Sequence, residues 1–217
     1  MVGRTGKAAN KEDVHGEPLK TLDLLREVYV SQTRDGRASP NAIARGLGAR
    51  LPSVRAALRA ASEKRLLKVN KRELELTALG RRRLKVVMVG GAFEIVHPGH
   101  VHTLSAAKKL GNTLVVVVAT DESVLRNKGR PPVTNQDSRV TMVSFLRQVD
   151  LAIPGNKGSI YEILLRVRPD VVAVGYDQVH NPEDIVREAA KRGVRMQVAR
   201  LETPIPEVKT SKILQSL

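Results

Sequence analysis

The pattern that most constrains this chain begins at Val86. From there on, short β-branched runs alternate with helix-length stretches. Residues 86–89, 113–119, 151–154, 171–174 and 194–199 read as strands, with helices near 100–110, 138–147, 160–166 and 182–192. Strands apolar on both faces need cover on both, and a strand–helix–strand succession supplies it by running the strands parallel. The expectation is an α/β fold with a five-stranded doubly wound parallel sheet, in which ligands bind beyond the carboxyl ends of the strands.

Before Leu84 the periodicity is different. Leu19, Leu22, Leu25 and Val28 recur at helical spacing, and Arg34-Asp35-Gly36 reads as a turn. Ser39 is placed to cap a short helix from Pro40, Gly46-Leu47-Gly48 stops it, and Pro52-Ser53 opens a third helix. Two short strand candidates follow, around Asn70-Lys71-Arg72. The chain therefore divides into a tail (1–17), a small helical module with a hairpin (18–84) and the α/β module (85–217), with two separate cores. Charge divides at the same place. Of the formal +15, residues 1–85 carry 20 Lys and Arg against 9 Asp and Glu, and residues 86–217 carry 17 against 13. Such an excess favours polyanionic partners. With no cysteine, disulfides, Cys-ligated metal centres and thiol nucleophiles are excluded. No apolar run reaches the roughly 18 residues a bilayer span needs, so a cytoplasmic protein without membrane contact is expected. The five aromatics are too scattered for a base-stacking platform.

The chemistry concentrates after the first strand of the α/β module, in Gly90-Gly91-Ala92-Phe93-Glu94-Ile95-Val96-His97-Pro98-Gly99-His100. Glycines let a ligand approach the backbone, and a helix N-terminus favours an anion. Two imidazoles three residues apart can face one phosphoryl group and donate hydrogen bonds to oxygens whose charge changes during transfer. Elsewhere, Arg81-Arg82-Arg83 reads as a solvated face, Asp121 and Glu122 as helix caps, and residues 155–158 as a loop without the Walker spacing. No residue set reads as a protein metal site.

This segment resembles the His-x-Gly-His nucleotidyltransferase superfamily, in particular its cytidylyltransferase-like branch, whose usual sequence is Gly-Thr-Phe-Asp-x-x-His-x-Gly-His. Ala92 stands in place of Thr and Glu94 in place of Asp. The resemblance continues in Lys128-Gly129-Arg130 with Arg139 beyond it, in Gly175-Tyr176-Asp177-Gln178, and in Lys209-Thr210-Ser211-Lys212-Ile213. At two of these places the chain again departs from the pattern, with Pro131 where many relatives have Lys and Lys209 where a hydroxyl is usual. The resemblance implies nucleotide contacts from Gly91, Ala92, Phe93, His97, His100, Lys128, Arg130, Arg139, Gly175, Asp177, Thr210 and Ser211, with His97, His100 and Lys128 catalytic. It implies Mg²⁺ and a nucleoside triphosphate, ATP or CTP, whose nucleotidyl unit passes to a phosphorylated acceptor with release of pyrophosphate. Tyr176-Asp177-Gln178 and Pro98 are similar to the archaeal FAD synthetase group, which joins an AMP unit to FMN. Glycerol-3-phosphate or ethanolamine-phosphate cytidylyltransferase is the alternative, and a nucleotide- or flavin-sensing regulator without turnover is another.

Residues 19–84 resemble a winged helix-turn-helix domain. That resemblance implies double-stranded DNA as a partner, with Ser53, Arg55 and Arg59 toward the groove and Lys71 and Arg72 on the wing. Members of both families often form homodimers.

Overall fold

A computed structural model describes residues 19–70, 73–157, 160–175 and 182–201. The N-terminal part runs through helices α1 (Thr21–Asp35), α2 (Pro40–Leu47) and α3 (Leu51–Glu63). An antiparallel hairpin of β1 (Leu67–Val69) and β2 (Leu74–Leu76) follows, then the single turn α4 (Ala78–Arg81). The Ser39 hydroxyl caps α2 by accepting from the Ala42 amide at 3.3 Å. Gly36 ends α1 with a left-handed φ of 74°, which glycine adopts at little cost.

The second part comprises β3 (Val86–Gly91), α5 (Pro98–Lys108), β4 (Thr113–Val118), α6 (Asp121–Lys128), α7 (Gln136–Ser144), β5 (Leu151–Pro154), α8 (Ile160–Val167), β6 (Val171–Val174), α9 (Pro182–Lys191) and β7 (Gln197–Arg200). The five strands are parallel, in the order β5-β4-β3-β6-β7. The chain winds outward from β3 to β5, then returns to the other side of β3. That reversal opens a crevice beyond the carboxyl ends of β3 and β6, where doubly wound sheets bind ligands. The pleat sorts β3 cleanly. Val86 and Met88 pack with α8 and α9, whereas Val87 and Val89 pack with α5 and α7.

The largest departures from the expected elements are a helix and a strand start. Helix α6 was anticipated only through the capping reading of Asp121 and Glu122, because Val124 is its one buried residue and gives no apolar period. Strand β7 starts at Gln197, not Val194, since Gly193 (φ 76°) and the Val194 amide on the Ala189 carbonyl are still finishing α9.

The expectation of two separate cores is also corrected. The crossovers through α5 and α7 cover one face of the sheet, leaving the β4–β5 half of the other face without a crossover helix. Helix α1 supplies that cover. Its Leu24, Leu25 and Val28, each at most 1% exposed, join one apolar cluster with Val115, Leu151 and Ile153. Burying each such side chain contributes roughly 1.5–3 kcal/mol.

Polar contacts fix the junction at the amino edge of the sheet. Asp170 accepts the Val86 amide at 2.7 Å and the Arg81 guanidinium at 3.0 Å, and Arg81 also reaches the carbonyls of Leu84 and Arg168. Asp150 accepts the Leu114 amide at 2.6 Å and pairs with Lys108, while Arg26 of α1 approaches it at 3.6 Å and donates to the Asn112 carbonyl. Each aspartate thus holds a strand end and an arginine of the N-terminal part. The reading of Arg81 as solvated is corrected accordingly; Arg82 and Arg83 are exposed. Tyr29 donates to the Val167 carbonyl at 2.8 Å, and burial pushes its phenol up to about 12. Among the described residues, no helix is long and apolar enough to cross a membrane.

A shared core makes the two parts unfold together. A calorimetric scan of the full chain is expected to show one transition, and Leu25→Ala to destabilise that whole transition by about 2–5 kcal/mol. Two separated transitions, with only the first moved by Leu25→Ala, would contradict the shared core.

Candidate active site

The site begins where β3 ends. A Cβ on Gly91 would lie 2.7 Å from the Phe93 ring, so glycine is what lets the chain fold back there. Phe93 itself takes a left-handed φ of 51°, a conformation costing a non-glycine residue roughly 1–2 kcal/mol. Burial of its ring at 4% exposure offsets that cost. The ring lies 5.0 Å from the His100 imidazole.

His97 is extended (φ −139°, ψ 168°) and occupies the cap position of α5, its carbonyl accepting the His100 amide at 2.9 Å. This geometry sets the two imidazoles 4.0 Å apart, centre to centre, at the positive end of the helix. The Nδ1 atoms of both are buried without a hydrogen-bond partner. A buried polar atom left unpaired is costly, so the pair is suited to meet a polar group of a ligand. Burial lowers both pKa values. His100 is brought down to about 4, first by burial and then by the His97 and Lys128 charges, against a smaller opposite effect from the Ile95 carbonyl. Both rings are therefore neutral near pH 7, each with a single N–H; that of His100 is turned to the Ile95 carbonyl, which leaves its Nδ1 an acceptor until the tautomer shifts or the ring takes up a proton.

Beside the pair, the Glu94 side chain is fully buried and holds two cations. Lys128 ends α6 and pairs with one carboxylate oxygen, while Arg130 donates to the other at 2.8 Å. Burial alone raises the Glu94 pKa, but the hydrogen bonds and charges of Lys128 and Arg130 outweigh it and hold the carboxyl below its usual range.

Arg139 also reaches this edge, although differently from the expected nucleotide contact. At 1% exposure it donates to the Thr134 carbonyl at 3.1 Å, the Ala119 carbonyl at 2.8 Å and the Ala92 carbonyl, and pairs with Asp121 at 2.6 Å. Its guanidinium binds three loops of the protein together. The capping expected of Asp121 and Glu122 is corrected too, for Thr120 caps α6 by accepting the Ser123 amide, and Glu122 pairs with Lys157. Gly175 follows β6 and, by the register that pairs Val89 with Ala173, stands level with Gly91.

The structure thus gathers Gly91, Ala92, Phe93, His97, His100, Lys128, Arg130 and Gly175 at one edge of the sheet. Asp177, Thr210 and Ser211 lie outside the described residues, as do Lys71 and Arg72 of the hairpin. Ser53, Arg55 and Arg59 are exposed on α3, in the other module. Sequence reasoning missed Gln136, whose amide ties the Val118 and Gly155 carbonyls together at 2.9 Å each. Nothing in its spacing marked it. It also missed Glu94 as the partner of Lys128 and Arg130, although that residue already stood out as a longer acid than the pattern calls for.

Comparison with known proteins places this geometry. A family model described as cytidylyltransferase-like matches residues 88–216. The chain is 41% identical over 139 residues to the FAD synthase of Pyrococcus horikoshii, covering 63% of this chain and 93% of that protein. It is 47% identical over 116 residues to the FAD synthase of Aciduliprofundum boonei, covering 54% of this chain and 77% of that protein. Among solved structures, a lipopolysaccharide core biosynthesis protein from Thermoplasma volcanium aligns at a TM-score of 0.53 with 38% identity, over 56% of this chain and 98% of that one.

Proposed function

The chain belongs to the cytidylyltransferase-like family, and on that premise we propose that it is an FMN adenylyltransferase. An FMN phosphate oxygen attacks the α-phosphorus of ATP in line, a new P–O bond forms as the bond to the β-phosphate oxygen breaks, and FAD and pyrophosphate leave. What carries this reading is the pair of neutral histidines with buried, unpaired Nδ1 atoms in a chain similar to archaeal FAD synthases along most of their length. His97 and His100 donate to the oxygens of the transferring phosphoryl group, Lys128 and Arg130 hold the departing pyrophosphate, and Gly91 with Gly175 admits the nucleotide against the sheet edge. Asp177 would contact the nucleotide, and Thr210 and Ser211 the triphosphate. Mg²⁺ would be carried on the triphosphate oxygens, where it offsets their charge with few protein ligands.

A second reading concerns the N-terminal module. The outer face of α3 presents Ser53, Arg55, Ala56, Arg59 and Ala60, and neither Arg55 nor Arg59 pairs with a carboxylate among the described residues. Small side chains between unpaired guanidinium groups suit a duplex groove. This favours double-stranded DNA as a partner, with Lys71 and Arg72 on the adjoining hairpin.

Two assays test these readings. With ATP, Mg²⁺ and FMN, the protein is expected to yield FAD and pyrophosphate, and His100→Ala to lower kcat by about 100-fold. A CDP-alcohol formed from CTP, with no FAD, would contradict the first reading. For the second, duplex binding is expected to weaken with salt, and Arg55→Ala with Arg59→Ala to reduce the log–log slope by about 2. An unchanged slope would remove α3 from the interface.

A further inference from the structure

Glu94 is a buried carboxylate where the family pattern has a shorter acid, and a negative charge there repels a triphosphate. Its surroundings explain it. The carboxylate is fully buried, and Lys128 and Arg130 are the cations that pair with it. Uncompensated, a carboxylate in that position costs several kcal/mol, so it stays charged only while these cations are in place. The dependence runs the other way as well. Lys128 is the last residue of α6 and Arg130 lies two residues on, past the left-handed Gly129, on a loop. Among the described residues, Glu94 is the one carboxylate within 4.0 Å of either cation. Glu94 in turn adjoins Phe93, whose ring packs on His100. A continuous path therefore runs from the two cations through Glu94 and the turn to the histidine pair.

We propose that Glu94 is a positioning residue, whose buried carboxylate fixes Lys128 and Arg130 at a set distance from the histidines for the transfer step. Pairing does not use the cations up. An ammonium has three N–H donors and a guanidinium five, so each keeps donors for phosphate oxygens while one side is held by Glu94. The carboxylate also repels the triphosphate. Glu94 therefore organises the transfer step at some loss of ground-state attraction, which separates it from a residue that merely supports the binding site.

This inference rests on the FMN adenylyltransferase reading for its kinetic arm, and a binding arm stands apart from it. Full-length wild type, Glu94→Gln, Glu94→Asp, Lys128→Ala and Glu94→Gln with Lys128→Ala are compared in FAD synthesis with ATP varied at saturating FMN, and in calorimetric binding of ATP. Glu94→Gln is expected to lower kcat at least tenfold and to raise the ATP KM and Kd no more than about twofold. Glu94→Asp, which keeps the charge one methylene short, falls between wild type and Glu94→Gln. In the Lys128→Ala background, Glu94→Gln costs less in kcat than it does in the wild type, the remainder being the share that acts through Arg130. A smaller loss in kcat, a loss taken in KM, or losses that multiply in the double variant would overturn the proposal. If Glu94→Gln does not fold, a Glu94→Asp kcat equal to wild type overturns it. Wild type that makes no FAD overturns the FMN reading alone, and the binding arm then decides: Lys128→Ala weakens ATP binding at least threefold, and a Glu94→Gln that weakens it equally contradicts the role assigned to Glu94.

Discussion

Everything at the functional edge depends on how β3 ends. The strand leaves the sheet through Gly91 into a left-handed Phe93, and the ring of Phe93 turns back to pack on His100. Without a side chain at Gly91 the ring has room, and with the ring in place α5 starts where its first turn faces the crevice beyond β3 and β6. The conformational cost at Phe93 is small beside the apolar burial that accompanies it. In return, two imidazoles stand 4.0 Å apart with their inner nitrogens unpaired and their charge suppressed. Neutral donors at a helix N-terminus suit a group whose oxygens change charge in the transition state.

The same device holds both ends of the sheet. At the carboxyl edge, Glu94 and Arg139 are buried charges whose partners come from loops far apart in sequence, so each ties loops into one frame. At the amino edge, Asp150 and Asp170 each accept a strand amide and an arginine from the N-terminal part. Breaking such a pair leaves a charge unmatched, so these contacts make departures from the native arrangement expensive. With α1 completing the apolar cover over β5, the N-terminal module is fixed at the edge opposite the site. Strand β3 spans roughly 20 Å between the two edges, at about 3.3 Å per residue.

Much of this was legible in the sequence. Alternating β-branched runs gave away the parallel sheet, because its strands are apolar on both faces. The His97–His100 segment declared its chemistry through the strand before it and the helix after it. What escaped depends on contacts between distant positions. Val124 alone could not announce α6, and nothing near Arg81 pointed to Asp170, 89 residues away. Arg139 looked like a phosphate ligand because charge is visible in sequence and burial is not. Leu24, Leu25 and Val28 signalled a helix with an apolar stripe; that the stripe would complete another module's sheet follows only from the handedness of the crossovers, which leaves that face bare.

The central claim is that burial at this turn keeps the histidine pair uncharged in the ligand-free protein. The most direct measurement is the titration of the His100 imidazole in the ligand-free protein, followed by NMR. The account predicts a ring neutral at pH 7 that takes up a proton only near pH 4, well below the ordinary value of 6.5. A midpoint at or above 6.5 would mean that the pair is solvated or ion-paired, and would contradict it.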